Sequence, residues 1–423
     1  MPSGASRAGE KAIRILLANN RYFPTGGPER YLFFIEQALR AAGHHVAPFS
    51  LAYEKNHATP AATYFPPPPV DGDYVLHGDR PLSRREKARL ALRVIHDRGV
   101  YDAAKRMLVE QGIQVVYALQ IAHYLYPDLL LAARAVGVPV VLRLSDYQLV
   151  CPSYNCLRDG RPCFACRDGR LPAIVHRCLK GSFAISATRV AAMTIADLLG
   201  VNRSVARFVT PSLHLGQKLA EAGFDRHRLV HLPTPLPLPP DPGPAPAEGP
   251  LLFVGGLYEA KGAHLAVEAV AGTGRRLIVV GDTQTPYGRA LRDRVKQERI
   301  AEVEFFGFAD RDQLAELYTA AHAVIVPSLW WENVPHVALE AHAFRRPVIA
   351  ADHGSLPEVV EPQRTGLLFT PGDATSLRDA IESLARSGMA DQMGRHGRER
   401  VAAQHDPARH LARLETVLRE ARG

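Results

Sequence analysis

Apolar and polar positions change period again and again along the chain. Near its start the run "IRILLANN" is short and almost wholly apolar, the pattern of a buried strand. The loop "RYFPTGGPE" follows, and then "ERYLFFIEQALRAAG", where apolar residues recur at helical spacing and Gly43 stands where the helix should stop. "HHVAPFS" returns to a strand. The cycle repeats in "IQVVYAL", the helical "YLYPDLLLAARAVG" and "VPVVLRLS".

The segment "PTPLPLPPDPGPAPAEGP" interrupts this alternation. Its prolines forbid helix and interior strand alike, so it reads as an extended, semi-rigid linker. Beyond it the cycle restarts. "GPLLFVGGL", "RRLIVVGD", "VEFFGF", "HAVIVPS" and "RPVIAADH" read as strands, and "GAHLAVEAVAG", "RDQLAELYTAA", "NVPHVALEAHAFR" and "ATSLRDAIESLARSG" as helices. Strands alternating with helices predict an α/β fold with parallel sheets covered on both faces. The expected organisation is a Rossmann-like domain over 1–232 and a linker over 233–249, then a second Rossmann-like domain over 250–405 and a C-terminal helix over 406–423 that packs back on the first domain. Two such domains form a cleft, and ligands bind such sheets at the carboxyl ends of their strands.

Composition narrows the class without naming the chemistry. Of 423 residues, 47% are hydrophobic and 22% charged, which suits a globular chain and excludes a disordered one. No run reaches the ~18 apolar residues of a membrane span, and "IRILLA" is too short for the apolar part of a signal peptide, so a cytoplasmic chain is expected. The net charge of +8 is spread among acidic residues, with no nucleic-acid-binding signature; a membrane surface or a phosphorylated small molecule fits it better than nucleic acid.

The stretch "PSLWWENVPHVALEAHA" places Glu332 and Glu340 eight positions apart with Pro335 between them. Asn333 is a favourable helix cap and Pro335 is tolerated in a first turn, so a helix is expected directly after Glu332. Its N-terminus, opening into the cleft, would suit a phosphate, and Glu340 would accept hydrogen bonds from a pair of sugar hydroxyls. Alternatively, Glu332 only complements the helix dipole and Glu340 faces solvent.

The segments "FVGGLYEAKG", "LIVVGD", "FFGF", "VIVPSLWWENVPHVALEA", "PVIAADHGSLPEVV" and "TGLLFTPGD", in this order, resemble the retaining GT-B glycosyltransferases of family four. The resemblance implies that Glu332 contacts the donor sugar and Glu340 the nucleotide ribose. It implies that the amides of Val334 and His336 cradle the diphosphate, and that Lys261 neutralises the departing diphosphate, whose developing charge a fixed cation stabilises. Asn333, Gly255, Gly256 and Gly281 complete the donor side. One departure is visible: the family usually carries an arginine after the first glycine, where this chain has Gly256, so Arg21, Arg143 or Arg289 must supply that cation. On the N-terminal side Gly26 and Gly27 would let backbone approach the donor. Asp146 stands where relatives often have a histidine and is the acceptor-side candidate, with His123 beside it.

All five cysteines lie in "CPSYNCLRDGRPCFACRDGRLPAIVHRC", residues 151–178. In a cytosolic protein such clustering points to metal rather than disulfides. Cys151, Cys163, Cys166 and Cys178 have the spacing of a structural zinc site, with His176 as an alternative ligand and an iron–sulfur cluster as an alternative occupant. Relatives that share the pattern replace Cys156, which makes it the odd one out. Within 158–180 there are six Lys or Arg against two Asp, an excess that would also meet a diphosphate-lipid acceptor near a membrane.

The expected activity is therefore retaining transfer of a sugar, of the hexosyl type, from a nucleotide-diphosphate donor to a hydroxyl of a glycan, lipid or natural product. No catalytic cofactor is expected. The alternatives are a sugar-nucleotide epimerase or phosphorylase on the same fold, and a silent scaffold that binds a partner through the cysteine-rich loop.

Overall fold

The structure, a computed structural model, describes residues 12–69, 83–122 and 124–423. The first sheet holds β1 (Arg14–Ala18), β2 (His45–Phe49), β3 (Val115–Ala118), β4 (Val140–Arg143), β5 (Val205–Thr210) and β6 (Leu229–His231), all parallel in the order β2-β1-β3-β4-β5-β6. The second holds β7 (Leu251–Val254), β8 (Leu277–Val280), β9 (Val303–Gly307), β10 (Ala323–Val326), β11 (Val348–Ala351) and β12 (Gly366–Phe369), parallel in the order β9-β8-β7-β10-β11-β12. Strands β3, β4, β8, β10 and β11 are buried along their whole length. Helices thus cover both faces, as the unbroken apolar runs required.

Each sheet has one point where strand order reverses: between β1 and β3 in the first, between β7 and β10 in the second. Those are the positions at which the loops after adjacent strands diverge and leave a crevice. Seven helices matter below: α1 (Gly27–Ala41), α2 (Leu171–Val175), α3 (Phe183–Leu198), α4 (Leu213–Glu221), α5 (His336–Ala343), α6 (Leu356–Val359) and α7 (Pro407–Glu420).

The proline-rich stretch forms neither helix nor strand, and it is strapped down rather than loose. Leu236 N–H donates to the His405 carbonyl (2.9 Å), Arg398 to the Pro239 carbonyl (2.7 Å) and Arg346 to the Gly243 carbonyl (3.0 Å). Helix α7 returns to the first sheet. Leu414 and Leu418 are buried in its core, and His410 Nε2 lies 2.9 Å from the Tyr31 hydroxyl on α1.

Two local expectations fail for the same reason. The helix expected from Tyr124 begins only at Asp128, because Pro127 forces a break before it. Likewise α5 begins at His336, after Pro335, so Asn333 does not cap it.

Candidate active site

The loops after β7 and β10 meet at the second reversal point. After β7 the chain passes Gly255 and Gly256, forms one short turn over Glu259–Lys261, and reaches Gly262. Gly262 has φ +70°, and a Cβ on it would stand 2.0 Å from the Pro327 carbonyl oxygen. Only glycine fits there. Leu329 N–H closes the contact by donating to the Ala260 carbonyl (2.8 Å).

This approach brings Lys261 to Glu332. Lys261 Nζ lies 2.7 Å from Glu332 Oε1, which also accepts from Ser328 Oγ (2.6 Å) and Trp330 Nε1 (2.8 Å). Glu332 is 7% exposed. Burial alone would raise its pKa, but the Lys261 charge and the hydrogen bonds from Lys261, Ser328 and Trp330 outweigh burial and hold the carboxyl below its ordinary value. Lys261 is held above its ordinary value: burial disfavours its charge and Glu332 more than restores it. The Lys261 ammonium also lies 5.1 Å from the Trp330 ring centroid.

Glu340 sits on α5 and accepts from the Tyr318 hydroxyl (3.0 Å), with Arg30 of α1 3.9 Å away. Burial pushes its carboxyl up. The His336 amide is spent on the Val334 carbonyl (2.9 Å), which leaves Val334 as the donor of the expected pair that remains in play. Burial, with Arg143 and Arg30 nearby, pushes the His336 imidazole down to about 4. Gly281 directly follows β8, where a Cβ would lie 2.2 Å from the Gly255 carbonyl oxygen. At Gly256 a ring fills the space a side chain would take: a Cβ there would come within 2.5 Å of Tyr258.

The first domain closes the cleft from the other side. Gly26 caps α1 and Gly27 opens it, and a Cβ on Gly27 would come within 3.5 Å of the His336 ring. The N-termini of α1 and α5 therefore face one another across the site. Of the cations expected to replace the missing arginine, Arg21 is engaged by Thr25 and Glu29, and Arg289 by the Gln284 carbonyl. Arg143 is the one placed beside His336; it lies 3.9 Å above the Tyr31 ring and donates to Thr234 (2.8 Å) and Ser145 (3.1 Å).

Asp146 follows β4 and accepts from the Gln148 amide (2.9 Å). Burial raises its pKa to about 6 against the opposing pull of that amide and of Arg189. The next residue, Tyr147, reaches the Glu332 carbonyl with its hydroxyl (3.4 Å). His123 lies outside the described residues. Asn333, expected as a cap, instead bolts the domains together: it donates to the Leu144 carbonyl (3.1 Å) and accepts from Ser212 Oγ (2.9 Å).

Ser328, Trp330, Tyr318, Arg30 and Trp331 escaped the sequence reading. Trp331 packs against Tyr147, Phe164 and His214, with Lys218 5.0 Å from its ring. The two tryptophans directly precede Glu332 in sequence and were the visible signal; Tyr318 and Arg30 gave none.

The zinc expectation finds no support. Among the described residues no group of three or more His, Cys, Asp or Glu side chains is placed to hold a metal ion. Cys151 shares a hydrogen bond with Cys156, the residue expected to stand apart, and that bond above all lowers Cys151 to about 6 while it raises Cys156. A two-stranded hairpin of Leu157–Arg158 and Arg161–Pro162 follows, and the Cys163 amide bonds the Cys156 carbonyl (2.6 Å). Burial holds Cys166 up at about 11 and raises Cys178. His176 Nε2 is taken by Arg158 (2.8 Å).

Residues 242–400 match the family described as glycosyl transferases group 1. The chain is 37% identical over 167 residues to the D-inositol 3-phosphate glycosyltransferase of Mycobacteroides abscessus, a match covering 37% of this chain and 35% of that protein. It therefore spans only about a third of that relative's length. The whole fold is similar to sucrose-phosphate synthase from Thermosynechococcus elongatus, with a TM-score of 0.66 and 21% identity, over 96% of this chain and 98% of that one. It is also similar to Anabaena HepE solved with UDP-glucose, with a TM-score of 0.65 and 16% identity, over 96% and 100% of the two chains. The architecture is that of the two-domain GT-B fold, and the match to the group 1 glycosyl transferases lies in the second domain.

Proposed function

We propose that the protein is a retaining glycosyltransferase that moves a sugar from a nucleoside-diphosphate donor to a hydroxyl acceptor. One observation carries the reading: the buried Lys261–Glu332 pair, 2.7 Å apart, stands at the strand-order reversal beside the N-terminus of α5, with Glu340 one turn further on. HepE was solved with UDP-glucose, which makes a uridine donor the first to try.

In this reading the diphosphate enters between the N-termini of α1 and α5 and competes with Glu332 for Lys261. Arg143 is the second cation. Glu332, still held ionised by Ser328 and Trp330, then accepts sugar hydroxyls and faces the positive charge that develops at the anomeric carbon. Glu340 takes the ribose hydroxyls. The bond from the anomeric carbon to the phosphate oxygen breaks, and its electron pair leaves on the phosphate. The acceptor oxygen bonds the same face and its proton passes to that phosphate. Asp146 holds the acceptor hydroxyl. Charge on the diphosphate is met by side chains and helix ends, so activity is expected to survive EDTA.

Glu332→Gln keeps the hydrogen bonds of the pocket but removes its charge. Transfer should fall by at least about a hundredfold, while UDP still raises the melting temperature. Unchanged turnover would sink the assignment, and donor breakdown that needs no acceptor would point to the epimerase or phosphorylase alternative.

A further inference from the structure

The cysteine-rich insertion leaves apolar side chains bare. Leu171 and Val175, one turn apart on the same face of α2, are 71% and 73% exposed, and Phe183 at the start of α3 is 61% exposed. The two helices pack on one another through the short turn 176–182, so these groups share one tip. Scattered apolar groups on a surface are ordinary, but a cluster with a charged rim marks an interaction site.

The rim decides what the tip meets. Between Asp168 and Asp197 the sequence contains no acidic residue, while Arg177 and Lys180 lie in the turn itself and are exposed. Positive charge beside bare leucine, valine and phenylalanine is complementary to an anionic lipid surface, where apolar groups enter the acyl boundary and basic groups meet headgroups. The same insertion runs inward to the cleft: Phe164 lies 5.9 Å from Trp331, next to Glu332.

We propose that the tip of α2 and α3 docks on an anionic lipid bilayer and so presents a lipid-borne hydroxyl acceptor to the cleft. The docking half stands on the surface alone; the acceptor half rests on the sugar-transfer reading above.

The test is sedimentation of the full chain with vesicles of phosphatidylcholine, alone or mixed with phosphatidylglycerol, at low and high salt. Binding to the mixed vesicles only, weakened by salt, is expected. Arg177→Gln with Lys180→Gln should weaken it by about 25-fold, since each basic residue near such a surface contributes about fivefold. Leu171→Asp with Val175→Asp should abolish it, and UDP should raise the melting temperature of every variant as it does for the parent, so loss of fold is told apart from loss of docking. Equal binding to both vesicles, or binding that both pairs of variants leave intact, would overturn the proposal. So would a dimer on gel filtration that the Leu171 and Val175 changes dissolve, because the tip would then belong to a second copy. Vesicle binding without transfer to any acceptor would leave the docking standing and refute the acceptor half.

Discussion

Both sheets are six-stranded and parallel with one reversal of strand order each, yet they treat charge in opposite ways. At the reversal point of the second, Lys261 and Glu332 are already paired, and the carboxyl is held below its ordinary value by its partners. The first sheet places Asp146 at the end of β4, where burial prevails and raises the carboxyl to about 6. One carboxylate is stabilised in its charged form, the other in its neutral form. In the proposed reading the donor side is organised around a fixed anion, whereas the acceptor side keeps a group that titrates in a useful range. That division matches the reach of the family likeness, which covers 242–400 and stops short of the first sheet.

Removing Lys261 should strain this comparison most. Lys261→Met leaves Glu332 buried without its cation, and breaking such a pair costs about 3 kcal/mol in urea unfolding, with turnover down by at least about a hundredfold. Lys261→Met combined with Glu332→Gln should recover most of the stability and none of the activity. Recovery of both would mean that the pair serves folding only.

Asp146 should answer to pH with the opposite sign from Glu332. Its pKa is raised from 3.8 in the unfolded chain to about 6, so the folded state binds the extra proton between those values. Its contribution is present below pH 3.8 and is lost as pH rises through 6, at most about 3 kcal/mol in all. Glu332, with a lowered pKa, stabilises the fold above its ordinary value of 4.5 and loses that contribution as pH falls. Asp146→Asn should therefore stabilise at pH 7 and leave stability at pH 4 unchanged. It should also remove an activity limb near pH 6. An unaltered pH profile of both stability and turnover would erase the contrast between the two sheets.

How much of this could be read in the sequence differs between the halves. Apolar runs announced four strands of the first sheet and five of the second, while β5, β6 and β12 were not read as strands. The ordered motifs gave Lys261 and Glu332 separate roles toward one donor, and their direct pairing across 71 residues came only with the fold. Helix starts were misread at Pro127 and Pro335, where a local rule about caps lost to the geometry of proline. The cysteine spacing suggested a metal because spacing records order along the chain. It cannot show that a hairpin at 157–162 intervenes. Arg30 and Tyr318 reach Glu340 from separate elements through tertiary packing, which leaves no local signature.

The smallest effect is expected where the two halves are latched. Glu358, on α6 of the second domain, accepts from the Leu213 and His214 amides at the N-terminus of α4 in the first (2.7 and 2.6 Å). Those amides have no partner within their own helix, and a carboxylate suits both their hydrogen-bonding need and the helix dipole. Burial raises Glu358 all the same, so the latch is weaker than its geometry suggests. Glu358→Gln keeps one acceptor oxygen and loses the charge, and should cost about 1 kcal/mol of unfolding free energy. Because the bond spans the cleft rather than touching the Lys261–Glu332 pair, the loss should appear as a severalfold weaker KM for the donor with kcat nearly unchanged. A fall in kcat without a change in KM would place Glu358 in the chemistry and make the first domain more than a lid on the second.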